Sequence, residues 1–585
     1  MSDAATTSAT TSVPTSTSPD DRRETSDHPS FGRALIRRPN LGGLIGALLF
    51  WWESLSPTLL SRSTTAQGMI SAVCLLTGYA IGTLFGYWGH RLLRRLEREP
   101  SARTRRIVWR SFWALFVLVL VIGGIVWPRW QNEQRDLLTL PHISAVSVIP
   151  VLLVTAILTV VLGLIGRALW GGVRAIDRWI GRLLPSPVAA VITTVVVLFV
   201  ANYFVNNVIL GRLHSWANSA WGVMEDDTDP GTVQPISASV SGSAASLVPW
   251  DDLGREGRNF VARATTSDEL AGFHGAAAEI VEPVRVYVGL RSGDTAEERA
   301  ALAVRELERA GAFDREVLVV ATVTGTGWVD PDAATAIEQL YAGDTAIVGQ
   351  QYSFLPSWIS TLVDGEAAQD AGSALFDAVH ERWSQLPEAS RPKLLVFGQS
   401  LGSYGGEAAF AGADARSSVA HLEALTDGAL FTGPTNGNVI WGQLTEERDA
   451  GSPAWRPVYD GGRSVRFANR TSELTEPDPT WQQPRVLYIQ HPSDPVTFWS
   501  MDTMWSEPEW IHDPTGYDVP SRASWFPFVT WAQGLADLSA GFSAKPGFGH
   551  DYSNAFVSGW AAVLPPDGWT ADDTARLEAY LGKQG

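Results

Sequence analysis

A serine set between two glycines is the first candidate for chemistry in this sequence. Ser400 is the third residue of a G-x-S-x-G pattern whose glycines are Gly398 and Gly402 and whose second residue is Gln399. Residues 393–397 (KLLVF) predict a strand before it, and an alanine-rich helix is predicted to follow. A serine on a sharp turn between strand and helix exposes its hydroxyl, and small flanking residues let the two elements approach closely. The alternative is a glycine turn with a purely structural role.

A serine nucleophile needs a general base and an acid that orients the base. Asp494 follows the predicted strand 485–490, and His550 lies 56 residues later between a glycine and an aspartate. The resulting chain order of serine, aspartate and histidine is the order found when such a serine sits on a strand-to-helix turn. We therefore predict Ser400, Asp494 and His550 as the catalytic residues.

Other assignments of these positions stay open at the level of sequence. Asp427 is a rival acid, and His491 is a rival base with a less suitable place in the chain order. A metal site is a further alternative, although no two of the histidines have a recognised helical ligand spacing. Its ligands would come from His491, Asp494, His512, Asp513, His550 and Asp551. The preferred assignment requires neither a metal nor another cofactor.

Stabilising an oxyanion requires two backbone N–H donors. One is expected from Leu401, the residue after the nucleophile, and the other from the loop after an early strand. The stretch TGTGW follows the predicted strand 317–323, and within it we favour Thr326 and Gly327. A phosphate cradle is the alternative, but the loop lacks the lysine that such a cradle uses.

Strand and helix patterns alternate from about residue 247 to residue 585. Strands are predicted at 284–288, 317–323, 393–397 and 485–490, and helices at 296–310 and 372–386. Apolar strands that alternate with helices indicate a mostly parallel α/β sheet with helices on both faces. Residues 344–358 could be a strand with a membrane-facing surface or could line an acyl pocket.

The N-terminal part of the chain has the pattern of a membrane protein. Apolar stretches of about 20 residues, the length that spans a bilayer, occupy 67–88, 107–127, 144–166 and 188–210. A weaker stretch at 41–60 is interrupted by Glu53 and Pro57 and would bring the number of helices to about five. We thus divide the chain into a disordered cytoplasmic tail (1–32), a transmembrane domain (33–215), a linker (216–246) and an α/β domain (247–585).

Charge distribution separates the two halves and predicts their orientation. Residues 1–215 carry 21 Lys and Arg against 11 Asp and Glu, whereas the remainder carries 23 against 51, within a net charge of −18. The arginine-rich stretches 91–106 and 167–182 should be cytoplasmic, which puts the α/β domain outside the cytoplasm. The acidity of that domain argues against a nucleic-acid partner. The partner expected of the first half is a lipid bilayer.

Taken together, the motifs resemble those of a multi-pass membrane α/β-hydrolase family found mainly in actinobacteria. The matching stretches are 248–251 (VPWD), 253–255 (LGR), 324–331 (TGTGWVDP), 398–403 (GQSLGS), 458–462 (VYDGG), 490–496 (QHPSDPV) and 549–552 (GHDY). The resemblance covers roughly residues 33–580. It implies a transmembrane helical bundle followed by a catalytic domain of the α/β-hydrolase fold. Gln399 departs from the glutamate that many relatives have there, but it is not the nucleophile.

These observations predict a multi-pass serine hydrolase of the cell membrane that acts on an ester of a lipid or cell-envelope substrate. An acyltransferase with an envelope sugar or lipid as acceptor would use the same three residues. A membrane scaffold with a degenerate hydrolase fold is the alternative from another functional class, because a fold alone does not establish an activity.

Overall fold

A computed structural model describes most of the chain. The described residues are 39–96, 101–182, 186–203, 225–356, 360, 365–474 and 481–583. The predicted tail 1–32 and the first part of the predicted linker, 216–224, lie outside them.

Five helices form the described part of the membrane region. They are α1 (Leu41–Glu53), α2 (Thr64–Arg95), α3 (Ala102–Leu137), α4 (Val148–Ile180) and α5 (Ser186–Tyr203). Among the described residues, α2, α3 and α4 with its preceding turn are long and apolar enough to cross a membrane. Many of their large apolar side chains are exposed, such as Phe85 and Leu169, as expected of surfaces that face lipid.

The predicted span at 41–60 is wrong in its length. Helix α1 has 13 residues and is about 20 Å long, which is shorter than the roughly 30 Å bilayer core. It ends where Ser54 turns its hydroxyl back onto the carbonyl of Trp51, at 2.6 Å. Helix α5 is described as far as Tyr203, and the rest of the predicted span 188–210 lies outside the described residues.

Helices α1 and α2 pack through glycines. A Cβ atom on Gly46 would lie 2.2 Å from the carbonyl oxygen of Gly78, and one on Gly82 would lie 2.2 Å from that of Gly42. Such spacings allow backbone-to-backbone contact, which is how helices associate where apolar burial provides little driving force.

The second half contains a parallel sheet. Its described strands are β1 (Val284–Val288), β2 (Val317–Thr322), β3 (Thr345–Gln350), β4 (Lys393–Gln399), β5 (Gly428–Thr432), β6 (Val465–Ala468) and β7 (Arg485–Ile489). Their order across the sheet is β1-β3-β2-β4-β5-β7-β6, and every neighbouring pair is parallel. The α/β prediction is confirmed. Strand β3 shows that residues 345–350 of the stretch 344–358 are a buried strand. Strands β5 and β6 were not predicted.

Helices cover the sheet and surround its carboxyl edge. They are α6 (Gly254–Ala262), α7 (Ser267–His274), α8 (Ala296–Ala310), α9 (Pro331–Leu340), α10 (Gly365–Ser384), α11 (Leu401–Gly406), α12 (Ala415–Leu425), α13 (Val439–Glu446), α14 (Pro495–Phe498), α15 (Glu509–His512), α16 (Val529–Gly541), α17 (Phe556–Val563) and α18 (Ala571–Leu581). Helices α8 and α10 pack together, as do α9 and α17. Because the strands are parallel, the loops after β2, β4 and β7 all emerge at one edge of the sheet, where such folds build their sites.

Residues 225–246, predicted as linker, pack against the α/β domain. Asp229 forms an ion pair with Arg255 at 2.7 Å. The buried carboxylate of Glu306 accepts a hydrogen bond from Ser246 Oγ at 2.6 Å. The polar composition that indicated a solvated linker instead provides hydrogen-bond partners for buried groups of the domain.

We predict that Glu338→Gln lowers the free energy of unfolding by about 3–5 kcal/mol. Glu338 on α9 receives two bonds from Arg285 on β1, at 2.6 and 2.8 Å, and both side chains are fully buried. The substitution leaves the guanidinium without its counter-charge in a dry site. Thermal unfolding of the full chain in detergent measures the loss.

Arg463→Gln is the control, because its ion pair with Asp460 is more than half exposed and contributes little. A Glu338→Gln protein as stable as this control would contradict the prediction.

Candidate active site

Ser400 occupies a strained turn between β4 and α11. Its backbone angles are φ 55° and ψ −125°, which a residue with a side chain rarely adopts. Both flanking glycines are required by packing. A Cβ on Gly398 would lie 2.4 Å from the Gly402 carbonyl, and one on Gly402 would lie 2.3 Å from the Thr322 carbonyl. The geometry is that of a nucleophile elbow.

Hydrogen bonds to the Ser400 backbone hold the elbow in place. The Ser400 N–H donates to the Thr432 carbonyl at the end of β5, at 2.9 Å. The Ser400 carbonyl accepts from Ser403 Oγ at 2.6 Å and from the Tyr404 N–H at 3.2 Å. Gln399, at the end of β4, is buried, and its side-chain oxygen has no hydrogen-bond partner among the described residues.

Asp494 and His550 form a buried hydrogen-bonded pair. The distance from His550 Nδ1 to Asp494 Oδ2 is 2.7 Å, and the two side chains are 3% and 0% exposed. Asp494 lies at the N-terminus of α14, where its Oδ1 accepts from the Val496 N–H at 2.8 Å. Tyr552 donates to the same Oδ2 at 2.6 Å. These bonds fix the carboxylate, which in turn fixes the orientation of the imidazole.

His550 lies over the end of β5, the strand whose last residue, Thr432, binds the Ser400 N–H. A Cβ on Gly433, the residue after the Thr432 that pairs with Ser400, would be 2.7 Å from His550 Cε1. His550 Nε2 is buried without a hydrogen-bond partner among the described residues. This nitrogen is therefore available to accept a proton. Ser400 therefore makes no hydrogen bond to His550 Nε2 in this structure. In such sites the bond between serine and histidine is often long until substrate binds.

The rival assignments have other roles in the structure. His491 is fully buried, its Nδ1 contacts the Gly549 carbonyl at 2.9 Å, and its ring stacks on Tyr552 at 4.4 Å. Burial lowers the pKa of His491 to about 4, so it supports the His550 loop in its neutral form. Asp427 pairs with Lys393 at the start of β4, at the edge of the sheet opposite Ser400.

The part of the chain that the structure describes contains no group of three or more His, Cys, Asp or Glu side chains placed to hold a metal ion. Of the residues in the metal alternative, Asp513 instead pairs with Arg448 at 3.3 Å.

Of the three N–H groups that the sequence suggested as oxyanion donors, the one of Gly327 already donates to another group. Leu401 begins α11, where a helix has unsatisfied N–H groups. The Gly327 N–H is already used, because it donates to the Thr324 carbonyl at 2.9 Å. Gly327 instead makes the turn possible, with φ 92°, and its carbonyl accepts from Tyr287 at 2.7 Å. Thr326 is the remaining candidate of this loop.

Sequence reasoning missed the polar groups that support the histidine loop. The Gly549 N–H donates to Ser493 Oγ at 2.9 Å, and Ser493 donates to Asp518 Oδ2 at 2.6 Å. Burial raises the pKa of Asp518 to about 6. No local pattern marks Asp518, whereas Tyr552 lies in the GHDY stretch that drew attention to His550.

Comparison with known proteins adds a family assignment. Residues 284–577 match the family described as Alpha/beta-hydrolase family. Residues 55–264 match the family described as Alpha/beta-hydrolase family N-terminus. No curated protein and no solved structure matches the chain.

We predict that His491 makes the protein less stable as the pH falls from 6.5 toward 4. In this window an unfolded chain binds a proton at this histidine and the native protein does not, since the native pKa is about 4. The difference is about 1.4 kcal/mol per pH unit, or about 2 kcal/mol between pH 6.5 and 5. Unfolding of the wild type and His491→Gln at pH 7 and pH 5 measures it, and the variant should lose less stability on acidification.

His512→Gln is the matched control because His512 is exposed. Equal acid sensitivity in wild type and His491→Gln would show that His491 is protonated in the folded protein.

Proposed function

The chain belongs to the α/β-hydrolase family, and from this premise we propose that it is a membrane-anchored serine hydrolase with Ser400 as its nucleophile. The observation that carries the proposal is the buried Asp494–His550 bond of 2.7 Å, at the same edge of the sheet as a serine with φ 55°. A base oriented by a fixed carboxylate next to a strained serine is the arrangement that activates a hydroxyl for attack on an acyl carbon.

In the proposed reaction the Ser400 oxygen bonds to the acyl carbon while its proton passes to His550 Nε2. The N–H groups of Leu401 and Thr326 stabilise the oxyanion. His550 then gives the proton to the leaving alcohol as the ester bond breaks. Water next loses a proton to His550 and bonds to the acyl carbon, and Ser400 recovers its proton as the acid leaves. Asp494 stabilises the imidazolium in both steps.

Three helices apolar enough to span a bilayer indicate membrane association. We propose that the catalytic domain faces away from the cytoplasm. The arginine-rich stretches 91–106 and 167–182 favour this orientation, because basic loops tend to stay on the cytoplasmic side. The substrate would then be a component of the outer leaflet or of the cell envelope.

A cavity between the membrane region and the catalytic domain supports an acyl lipid as substrate. Its volume is about 310 Å³, a size found among ligand sites. Its lining combines apolar residues, among them Leu60, Leu140, Ala540 and Phe548, with polar ones such as Ser539 and Lys545. Phe548 is two residues from His550. A fatty-acyl chain that leaves the bilayer here would lie close to the histidine loop.

We predict that a fluorophosphonate probe labels the wild-type protein and that Ser400→Ala abolishes the labelling. His550→Ala and Asp494→Asn should each lower kcat for an acyl ester by about 10³-fold or more. Labelling of purified protein in detergent, followed on a gel, is the measurement. Ser390→Ala is the control, because Ser390 is an exposed serine that precedes β4, at the end of that strand opposite the elbow.

Persistent labelling of Ser400→Ala would identify a different nucleophile. A folded wild type that is never labelled would favour a degenerate site. Labelling of intact cells with a membrane-impermeant probe tests the orientation, since a cytoplasmic domain would be labelled only after lysis.

We predict that Ser543→Trp selectively reduces activity toward long-chain esters. Ser543 is exposed at the rim of the cavity, so an indole can enter the space without displacing the core. Loss of burial for two methylene groups costs about 1.6 kcal/mol, or more than tenfold in kcat/KM. Dodecanoyl and acetyl esters should be compared. Ser521→Trp, an exposed serine outside the lining, is the control, and an equal loss for both esters would contradict the acyl-chain site.

A further inference from the structure

Residues 54–63 join α1 to α2, and all of them except Ser61 and Ser63 are buried against the catalytic domain. We call them the junction loop. Leu59 and Leu60 belong to the same apolar core as the sheet. Thr58 and Arg62 are at most 3% exposed. A loop between membrane helices is expected on the surface, so its burial requires compensating bonds.

An ion pair joins the junction loop to α16. Arg62 Nε lies 3.3 Å from Asp537 Oδ1, and both side chains are fully buried. Thr58 Oγ1 donates to Asp537 Oδ2 at 2.5 Å. Arg62 also donates to the Ser56 carbonyl and to Thr58 Oγ1, at 3.0 and 2.9 Å.

Glutamines from two sides complete the polar network. Gln533, one turn before Asp537 on α16, donates from its side chain to the carbonyls of Ser54 and Ser56, at 3.2 and 3.0 Å. Gln134 of α3 donates to the Thr58 carbonyl at 2.7 Å. The backbone of the junction loop is thus bonded to the membrane region and to the catalytic domain at once.

Helix α16, which binds the junction loop through Asp537, also contacts the catalytic histidine at its C-terminal end. Gly541, one turn after Asp537, accepts a hydrogen bond from the His550 N–H at 3.2 Å. Phe542 contacts the His550 ring edge-on at 5.2 Å. The Leu60 side chain lies 3.4 Å from the place where Gly549 would carry a Cβ.

We propose that Asp537 and Arg62 are positioning residues for His550, through which the membrane region fixes the geometry of the catalytic site. The proposal rests on the hydrolase function proposed above. Docking itself does not require the pair, because apolar contacts such as Phe50 with Phe526 at 5.1 Å also join the two parts. A buried ion pair adds little net stability compared with an apolar replacement, but it specifies one geometry.

The test compares full-length Asp537→Asn and Asp537→Glu in detergent micelles with an acyl ester as substrate. Asp537→Asn should lower kcat by roughly 10- to 100-fold, the cost of a displacement of about 1 Å at a catalytic group, with KM changed less than about twofold. The rate of fluorophosphonate labelling should fall in parallel. Asp537→Glu, which keeps the charge beside Arg62, should recover part of the loss.

Glu133→Gln is the matched control. Glu133 also joins the membrane region to the catalytic domain, through Arg522 at 3.2 Å, but both side chains are about half exposed. Its kcat should equal that of the wild type. If Asp537→Asn does not fold, as judged by thermal unfolding, Arg62→Lys replaces it, because it keeps the pair but loses the bonds to Ser56 and Thr58, and it should lower kcat at constant KM.

A folded Asp537→Asn or Arg62→Lys with wild-type kcat would overturn the positioning role, and so would equal losses for Asp537→Asn and Glu133→Gln. Failure of the hydrolase function is recognised separately, because the wild type would then lack activity and labelling that depend on Ser400.

Discussion

Ser400 is held at φ 55° and ψ −125°, a backbone conformation that costs a non-glycine residue about 1–3 kcal/mol. The surrounding elements supply this energy by meeting within van der Waals contact at the turn. The end of β2 can approach the turn because Gly402 has no side chain to keep it away. The end of β5 binds the Ser400 N–H through the Thr432 carbonyl. The central place of β4 in the sheet is therefore a requirement of the site, since an edge strand could not be held from both sides.

Buried carboxylates connect other elements of the domain to one another. Glu306 binds residues 225–246 to α8, and Glu338 joins β1 to α9. Glu407, next to the elbow helix, accepts from the Tyr488 hydroxyl on β7 at 2.8 Å, and burial raises its pKa to about 7. The acidity of this half of the chain is thus not only a surface property. Some of its acids link one segment to another, because a buried charge is stable only where several donors converge.

The features that could be predicted from sequence are those with a local cause. The elbow was recognisable because Gly398 and Gly402 are needed within five residues of each other. Strands β1, β2, β4 and β7 were recognisable because each contains at least three large apolar residues. Strand β5 (GALFT) and the four-residue strand β6 (VRFA) each contain only two. The neutral role of His491 depends on groups distant in the chain, such as Gly549. No local pattern contains that information.

The bond between Thr58 and Asp537 closes a loop of 479 residues, which has a consequence for biosynthesis. A ribosome makes the junction loop early and α16 and His550 near the end, and N-terminal elements generally fold first. The membrane helices can therefore be inserted before the surface that they present to α16 is used. The last part of the chain then assembles on a template that already sits in the bilayer. A chain that failed to insert would lack this template, so membrane insertion would control the assembly of α16 and of the His550 loop.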